Sequence, residues 1–188
     1  MMIHPNLLDS RDSLLLIIDV QQRLTAAMSE SDASLMVSQL GKILQAVKIL
    51  EIPVLVTEQY PQGLGATLTE IMDYLPDDTG VFAKTGFSCC AADGFLEALQ
   101  ASGRKQLILC GLEAHVCVLQ TALELLSRGF QVYVLDDAVC ARRIKHKVLA
   151  MQRLQQQGVT LSCVESVLFE WLRDAKHMHF KTISSLIR

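Results

Sequence analysis

Short, nearly continuous apolar blocks alternate along the chain with longer stretches of helical period. The blocks are "LLLIIDV" (14–20), "PVLVTEQ" (53–59), "VFAKT" (81–85), "QLILCGL" (106–112), "QVYVLDDAV" (131–139) and "VTLSCVESV" (159–167). A strand covered on both faces needs such unbroken apolarity, so six parallel strands are predicted. Between them the spacing predicts helices over about 31–51, 66–74, 89–102, 114–128 and 142–157, with a mixed tail from about 170. Gly103, Gly129 and Gly158 each stand just before a strand, where they read as helix C-cap residues. The expected architecture is one α/β domain over residues 1–188, helices on both faces of a six-stranded parallel sheet of order 3-2-1-4-5-6.

In such a sheet ligands bind beyond the carboxyl ends of the strands, where the strand order reverses. Strand one ends on Asp19, strand three carries Lys84 at its end, and strand four leads through "CGLEAH" into Cys117. Each has a bland reading as well: a turn or cap carboxylate, an edge lysine, a small packed thiol. Their coincidence at three strand ends favours a cleft joining carboxylate, ammonium and thiol. A cysteine in the first turn of a helix is expected to have a depressed pKa, because unpaired N–H groups, the helix dipole and a nearby lysine all favour the thiolate. Those N–H groups could also receive the oxyanion formed when sulfur attacks a carbonyl, with Asp19 as proton acceptor.

Composition narrows the partners. The 188 residues are 51% hydrophobic and 20% charged with a net charge of −3, and Lys and Arg are scattered, which argues against a nucleic-acid surface. No apolar run is long enough to span a bilayer and the opening lacks a secretory pattern, so neither a membrane partner nor export is expected. The six cysteines read as reduced thiols of a cytoplasmic protein, Cys110, Cys140 and Cys163 lying in or beside apolar blocks. "QGLGA" lacks the third glycine of a dinucleotide fingerprint and does not follow the first strand, so no cofactor is expected. His177 and His179 read as a solvated terminal segment rather than a metal pair, and Cys89-Cys90 as small-residue packing rather than a redox couple. The helix "AHVCVLQTALELL" is apolar on more than one face, which predicts burial or a homo-oligomer contact.

"LLIIDVQ" with Asp19, "FAKTGFS" with Lys84 and "CGLEAHVCVLQTALELLSRGFQVYVLDDAV" with Cys117 together resemble the isochorismatase-like cysteine hydrolase superfamily over almost the whole chain. The resemblance implies a Rossmann-like three-layer α/β/α fold, an Asp19-Lys84-Cys117 triad, a non-proline cis peptide between Leu112 and Glu113, and an oxyanion hole made of the Glu113 and Cys117 N–H groups. Where nicotinamidases carry a metal-binding Asp-x-His this chain has Gln59 and Pro61, so no metal is expected. "TEQYPQGLG" and "LFEWLRDAKHMHFKTISSLI" are similar to the metal-free, poorly characterised branch. The reaction so implied is amide or carbamoyl hydrolysis of a small molecule through a Cys thioester. Gln59, Tyr60 and His115 are candidates for the substrate pocket, and Glu113 or His115 could compete with Asp19 as base. The competing reading is a catalytically idle scaffold that keeps the fold for partner binding, and a less favoured one is a thiol redox protein.

Overall fold

The computed structural model describes residues 4–188. Its sheet has six strands, β1 (Ser13–Ile18), β2 (Val54–Gln59), β3 (Gly80–Lys84), β4 (Gln106–Gly111), β5 (Gln131–Val139) and β6 (Thr160–Ser162). All pairings are parallel and the order is β3-β2-β1-β4-β5-β6, the expected one. β1 and β4 sit at the centre and are buried at every position. Their alternation divides the interior into two apolar layers. Leu15, Ile17, Ile108 and Cys110 face one layer, and Leu14, Leu16, Ile18, Leu107 and Leu109 face the other.

The first layer is roofed by α2 (Glu30–Leu50) and α8 (Val164–Leu172). In α2 the buried residues Met36, Leu40, Ile43, Leu44 and Val47 recur at the helical period, and the Ser29 side chain caps the first turn by accepting from the Asp32 N–H at 3.2 Å. The second layer is covered by α5 (Phe95–Ala101), α6 (Leu119–Ser127) and α7 (Ile144–Gln156). Short helices α1 (Gln22–Thr25), α3 (Pro61–Leu64), α4 (Thr69–Met72) and α9 (Phe180–Ser185) complete the chain. Gly103, Gly129 and Gly158 all have positive φ, as capping glycines do. Among the described residues no helix is long and apolar enough to cross a membrane.

Three expectations fail locally, the first being the helix predicted over 89–102, which is a 3-10 turn, Cys89–Ala91, followed after a break by α5 from Phe95. The block 159–167 is not one strand: β6 ends at Ser162 and α8 begins at Val164. The Asp137 carboxylate accepts from the Val164 N–H at 3.0 and 3.2 Å, and this tertiary cap starts a helix inside an apolar run that reads as strand. The helix predicted over 66–74 shrinks to the single turn of α4.

Candidate active site

Asp19, Lys84 and the segment leading to Cys117 lie at the carboxyl ends of β1, β3 and β4, on the side where the strand order reverses. Asp19 takes a left-handed backbone conformation (φ 53°) directly after β1. Its N–H donates to the Thr57 carbonyl of β2 at 3.0 Å, which turns the carboxylate out of the strand direction while leaving it fully buried. Asp and Asn tolerate this conformation better than most side chains.

The Lys84 ammonium donates to Asp19 Oδ2 at 2.6 Å, and neither side chain is exposed. Its other contacts are Gln59 Oε1 at 2.7 Å and the Phe87 carbonyl at 3.2 Å. Three donors therefore meet three acceptors, and the ammonium acts on its surroundings as a fixed charge. The second carboxylate oxygen, Oδ1, accepts from Thr57 Oγ1 at 2.8 Å. Thr57 in turn contacts Cys89 Sγ at 3.4 Å, and the Cys89 N–H donates to Thr121 Oγ1 of α6 at 2.9 Å.

Cys117 sits in one wide turn, Ala114–Val118, in which the Val118 N–H reaches back five residues to the Glu113 carbonyl at 3.3 Å. The turn follows a close approach of β4 to β1. At Gly111, with φ 113°, any Cβ would come within 2.1 Å of the Ile18 carbonyl oxygen. Leu112–Glu113 is a cis peptide, and the Glu113 N–H makes no hydrogen bond among the described residues. The Cys117 thiol is buried and feels both charges of the Asp19–Lys84 pair. Burial raises its pKa most, the Asp19 carboxylate raises it further, and the Lys84 ammonium pulls it down by less. Burial and the carboxylate both favour the neutral thiol, the opposite direction from the depressed pKa expected at a helix start. Burial outweighs the lysine here.

The remaining sequence candidates are placed differently from one another. The Gln59 amide is committed at both ends, accepting from Lys84 and donating to the Thr85 carbonyl at 2.7 Å. Tyr60 is 53% exposed beside it, its N–H bonded to the Lys84 carbonyl at 2.8 Å. The Glu113 carboxylate turns to Arg142, accepting from Nε at 3.1 Å and from the backbone N–H at 3.1 Å. His115 packs on His146 of α7 with the rings tilted by 49° and their centroids 4.7 Å apart, and its Nδ1 is enclosed with no partner among the described residues. Burial lowers its pKa, and the groups that perturb it are Glu113, His146 and Arg142 rather than the Asp19–Lys84 pair. With Leu119, His146, Leu149, Ala150 and Arg153 it lines a separate groove of about 230 Å³.

Sequence reasoning missed Thr57, Cys89 as a neighbour of the carboxylate, and Phe87. The Phe87 side chain is 54% exposed while its carbonyl holds Lys84. A threonine inside "PVLVTEQ" carries no signal beyond β propensity. Cys89 and Cys90 are both free, Cys89 fully buried and Cys90 partly so. Among the described residues no group of three or more His, Cys, Asp or Glu is placed to hold a metal ion.

Comparison with known proteins gives a consistent picture. Residues 13–166 match the family described as Isochorismatase domain. The chain is 38% identical over 182 residues to isochorismatase domain-containing protein 2 of Danio rerio, covering 96% of this chain and 89% of that protein. Among solved structures it is similar to the MAR1 ribonuclease of Caenorhabditis elegans, at 33% identity and TM-score 0.90 over 96% of this chain and 91% of that one. It is also similar to the Escherichia coli YcaC gene product, an octameric hydrolase of unknown specificity, at 25% identity and TM-score 0.91 over 99% and 91% of the two chains.

Proposed function

The chain belongs to the isochorismatase family, and from that premise we propose that it is a cysteine hydrolase of a small amide or carbamoyl compound, with Asp19, Lys84 and Cys117 as its catalytic residues. The observation that carries this reading is the fully buried ion pair at 2.6 Å beside a buried thiol. Two desolvated charges cost folding free energy, and a packed apolar pair would serve stability as well or better, so their retention at the ligand end of the sheet points to chemistry.

Because the resting sulfur is protonated, Asp19 acts as general base during attack rather than beside a preformed thiolate. The Cys117 proton passes to the carboxylate as the S–C bond forms, and the oxyanion is received by the N–H groups of Glu113 and Cys117. Asp19 then returns the proton to the leaving nitrogen, and water resolves the thioester with the same carboxylate as base. Lys84, with no N–H left over, contributes charge alone, stabilising the sulfur as its negative charge grows. Tyr60 and Phe87, half-exposed and both bonded through their backbones to Lys84, are the candidates for contact with the body of the substrate. A homo-oligomer fits this reading: α7 leaves Ile144, Val148 and Leu149 exposed, and the similar E. coli protein is an octamer. Six free thiols fit a reducing, cytoplasmic setting.

The test is a panel of small amides, carbamates and ureas assayed for release of ammonia or amine, with RNA included because the similar C. elegans protein is a ribonuclease by name. Turnover of one panel member, loss of it in Cys117→Ala and Asp19→Asn, and an acyl mass on Cys117 after acid quench are expected. Turnover that survives Cys117→Ala, or cleavage of RNA alone, would overturn the proposal.

A further inference from the structure

The catalytic reading leaves one buried polar chain without a role. Thr57 Oγ1 is 2.8 Å from Asp19 Oδ1 and 3.4 Å from Cys89 Sγ, and Thr57, Asp19 and Cys89 are all completely buried. A threonine hydroxyl has one proton to give. An ionised carboxylate can only accept, so that proton goes to Asp19, and the contact to sulfur is completed by the Cys89 S–H donating to Thr57 Oγ1. Burial and the Asp19 charge push the Cys89 pKa up to about 12, which keeps that thiol a donor.

We propose that Thr57 and Cys89 are positioning residues: a Cys89 S–H to Thr57 O–H to Asp19 Oδ1 chain fixes the rotation of the catalytic carboxylate while Lys84 holds Oδ2. The proposal rests on the hydrolase reading above and adds what orients its base. Three elements hold this chain together. β2 supplies Thr57, whose carbonyl also takes the Asp19 N–H at 3.0 Å, so one residue fixes both the backbone and the side chain of the base. The turn Cys89–Ala91 supplies the thiol, and α6 anchors that turn through Thr121. With only Lys84 as partner the carboxylate could swing about its terminal torsion, which is broad and soft. Two donors on two oxygens remove that freedom, and a base misplaced by as little as about 1 Å forfeits a large factor in rate.

The experiment measures alkylation of Cys117 by iodoacetamide from pH 6 to 9, mapped by mass spectrometry so that Cys90 and Cys163 are counted separately. It needs no substrate. Parent, Asp19→Asn, Thr57→Val, Thr57→Ser, Cys89→Ala and Cys89→Ser are compared, each checked for native circular dichroism. Thr57→Val, which keeps the shape and removes the hydroxyl, is expected to slow Cys117 modification about tenfold, the size of one lost hydrogen bond to a charged group, and to move the acid limb of the profile to higher pH. Thr57→Ser and Cys89→Ser are expected to restore the parent profile, and Cys89→Ala to fall between. If Asp19→Asn slows modification while Thr57→Val and Cys89→Ala match the parent, the positioning chain is overturned and the hydrolase reading stands. If Asp19→Asn matches the parent or reacts faster, as loss of a charge that opposes ionisation of the thiol would make it, the catalytic assignment fails and the chain fails with it. Should Thr57→Val not fold, Cys89→Ala decides: an unchanged profile overturns the proposal.

Discussion

Replacing Lys84 by Met keeps the buried stem and deletes the charge. What remains is the Asp19 carboxylate, completely buried, with the Thr57 hydroxyl still donating to Oδ1, and the Gln59 and Phe87 oxygens without their donor. At 2.6 Å and an effective dielectric constant of about 20 the lost attraction is about 6 kcal/mol. Relief of the lysine's own desolvation returns part of it, and a net loss of about 3 to 5 kcal/mol follows, a large share of a typical domain stability of about 5 to 15 kcal/mol. Asp19→Asn, the replacement best suited to φ 53°, strands the ammonium instead and falls in the same range. Removing both charges together should cost less than the sum by at least about 2 kcal/mol, because no unpaired ion is left. Urea unfolding followed by circular dichroism reads this directly. With a slope of about 2 to 3 kcal/mol per molar, each single variant lowers the midpoint by about 1 to 2.5 M, and the double variant lies closer to the parent than additivity allows. Single losses below about 1 kcal/mol, or additivity within about 0.5 kcal/mol, would mean that the pair is screened by solvent, and the argument for a costly, functionally retained pair would fall.

Other outcomes follow from the same geometry. Gly111→Ala places a Cβ against the Ile18 carbonyl and should abolish soluble expression or cost more than about 4 kcal/mol, whereas Gly103→Ala, with nothing within 4 Å, should cost only about 1 to 2 kcal/mol in thermal unfolding. Asp137→Ala removes the cap of α8 and should lower stability by about 0.5 to 2 kcal/mol, with Asp137→Asn nearer the parent. Burial raises the pKa of both the Cys89 and Cys110 thiols, so the native state keeps two protons that the unfolded chain loses above its ordinary thiol value of about 8.5. Their contribution is complete below that value and declines as pH rises through it, by about 4 kcal/mol from these two thiols between pH 8 and pH 10, and the raised Cys117 and Cys140 thiols add to the fall. A urea midpoint that stays flat over that range would refute it, and Cys110→Ala should make the slope shallower without abolishing it.

What could be read from the chain, and what could not, divides along physical lines. Strand order and the meeting of Asp19 with Lys84 were legible because parallel strands buried on both faces write themselves as unbroken apolar runs, and because ligands gather where such a sheet reverses. The end of β6 was not. Whether Val164 continues a strand or opens a helix is decided by a carboxylate on another strand, and nothing within 159–167 records it. The roles of Thr57, Cys89 and Gln59 were hidden for the same reason: each acts through a partner at least 25 positions away.

The direction of the Cys117 pKa shift is the most instructive difference, because its sign changes the mechanism to propose. A helix start and a nearby lysine both argue for a thiolate, and a local reading has no counterweight. The folded chain supplies two, a desolvated site and a carboxylate close to the sulfur, and both oppose ionisation. A free thiolate beside an ionised Asp19 would place two negative charges against one buried ammonium, whose three N–H groups are already engaged. A neutral thiol beside the Asp19–Lys84 pair instead keeps the site electrically balanced until a carbonyl arrives to carry the displaced charge onto its oxygen. On the proposed mechanism the sulfur is activated during the attack and by the base, so that mechanism requires the orientation of Asp19, and the groups that fix it, to set the rate more than the thiol's own acidity does.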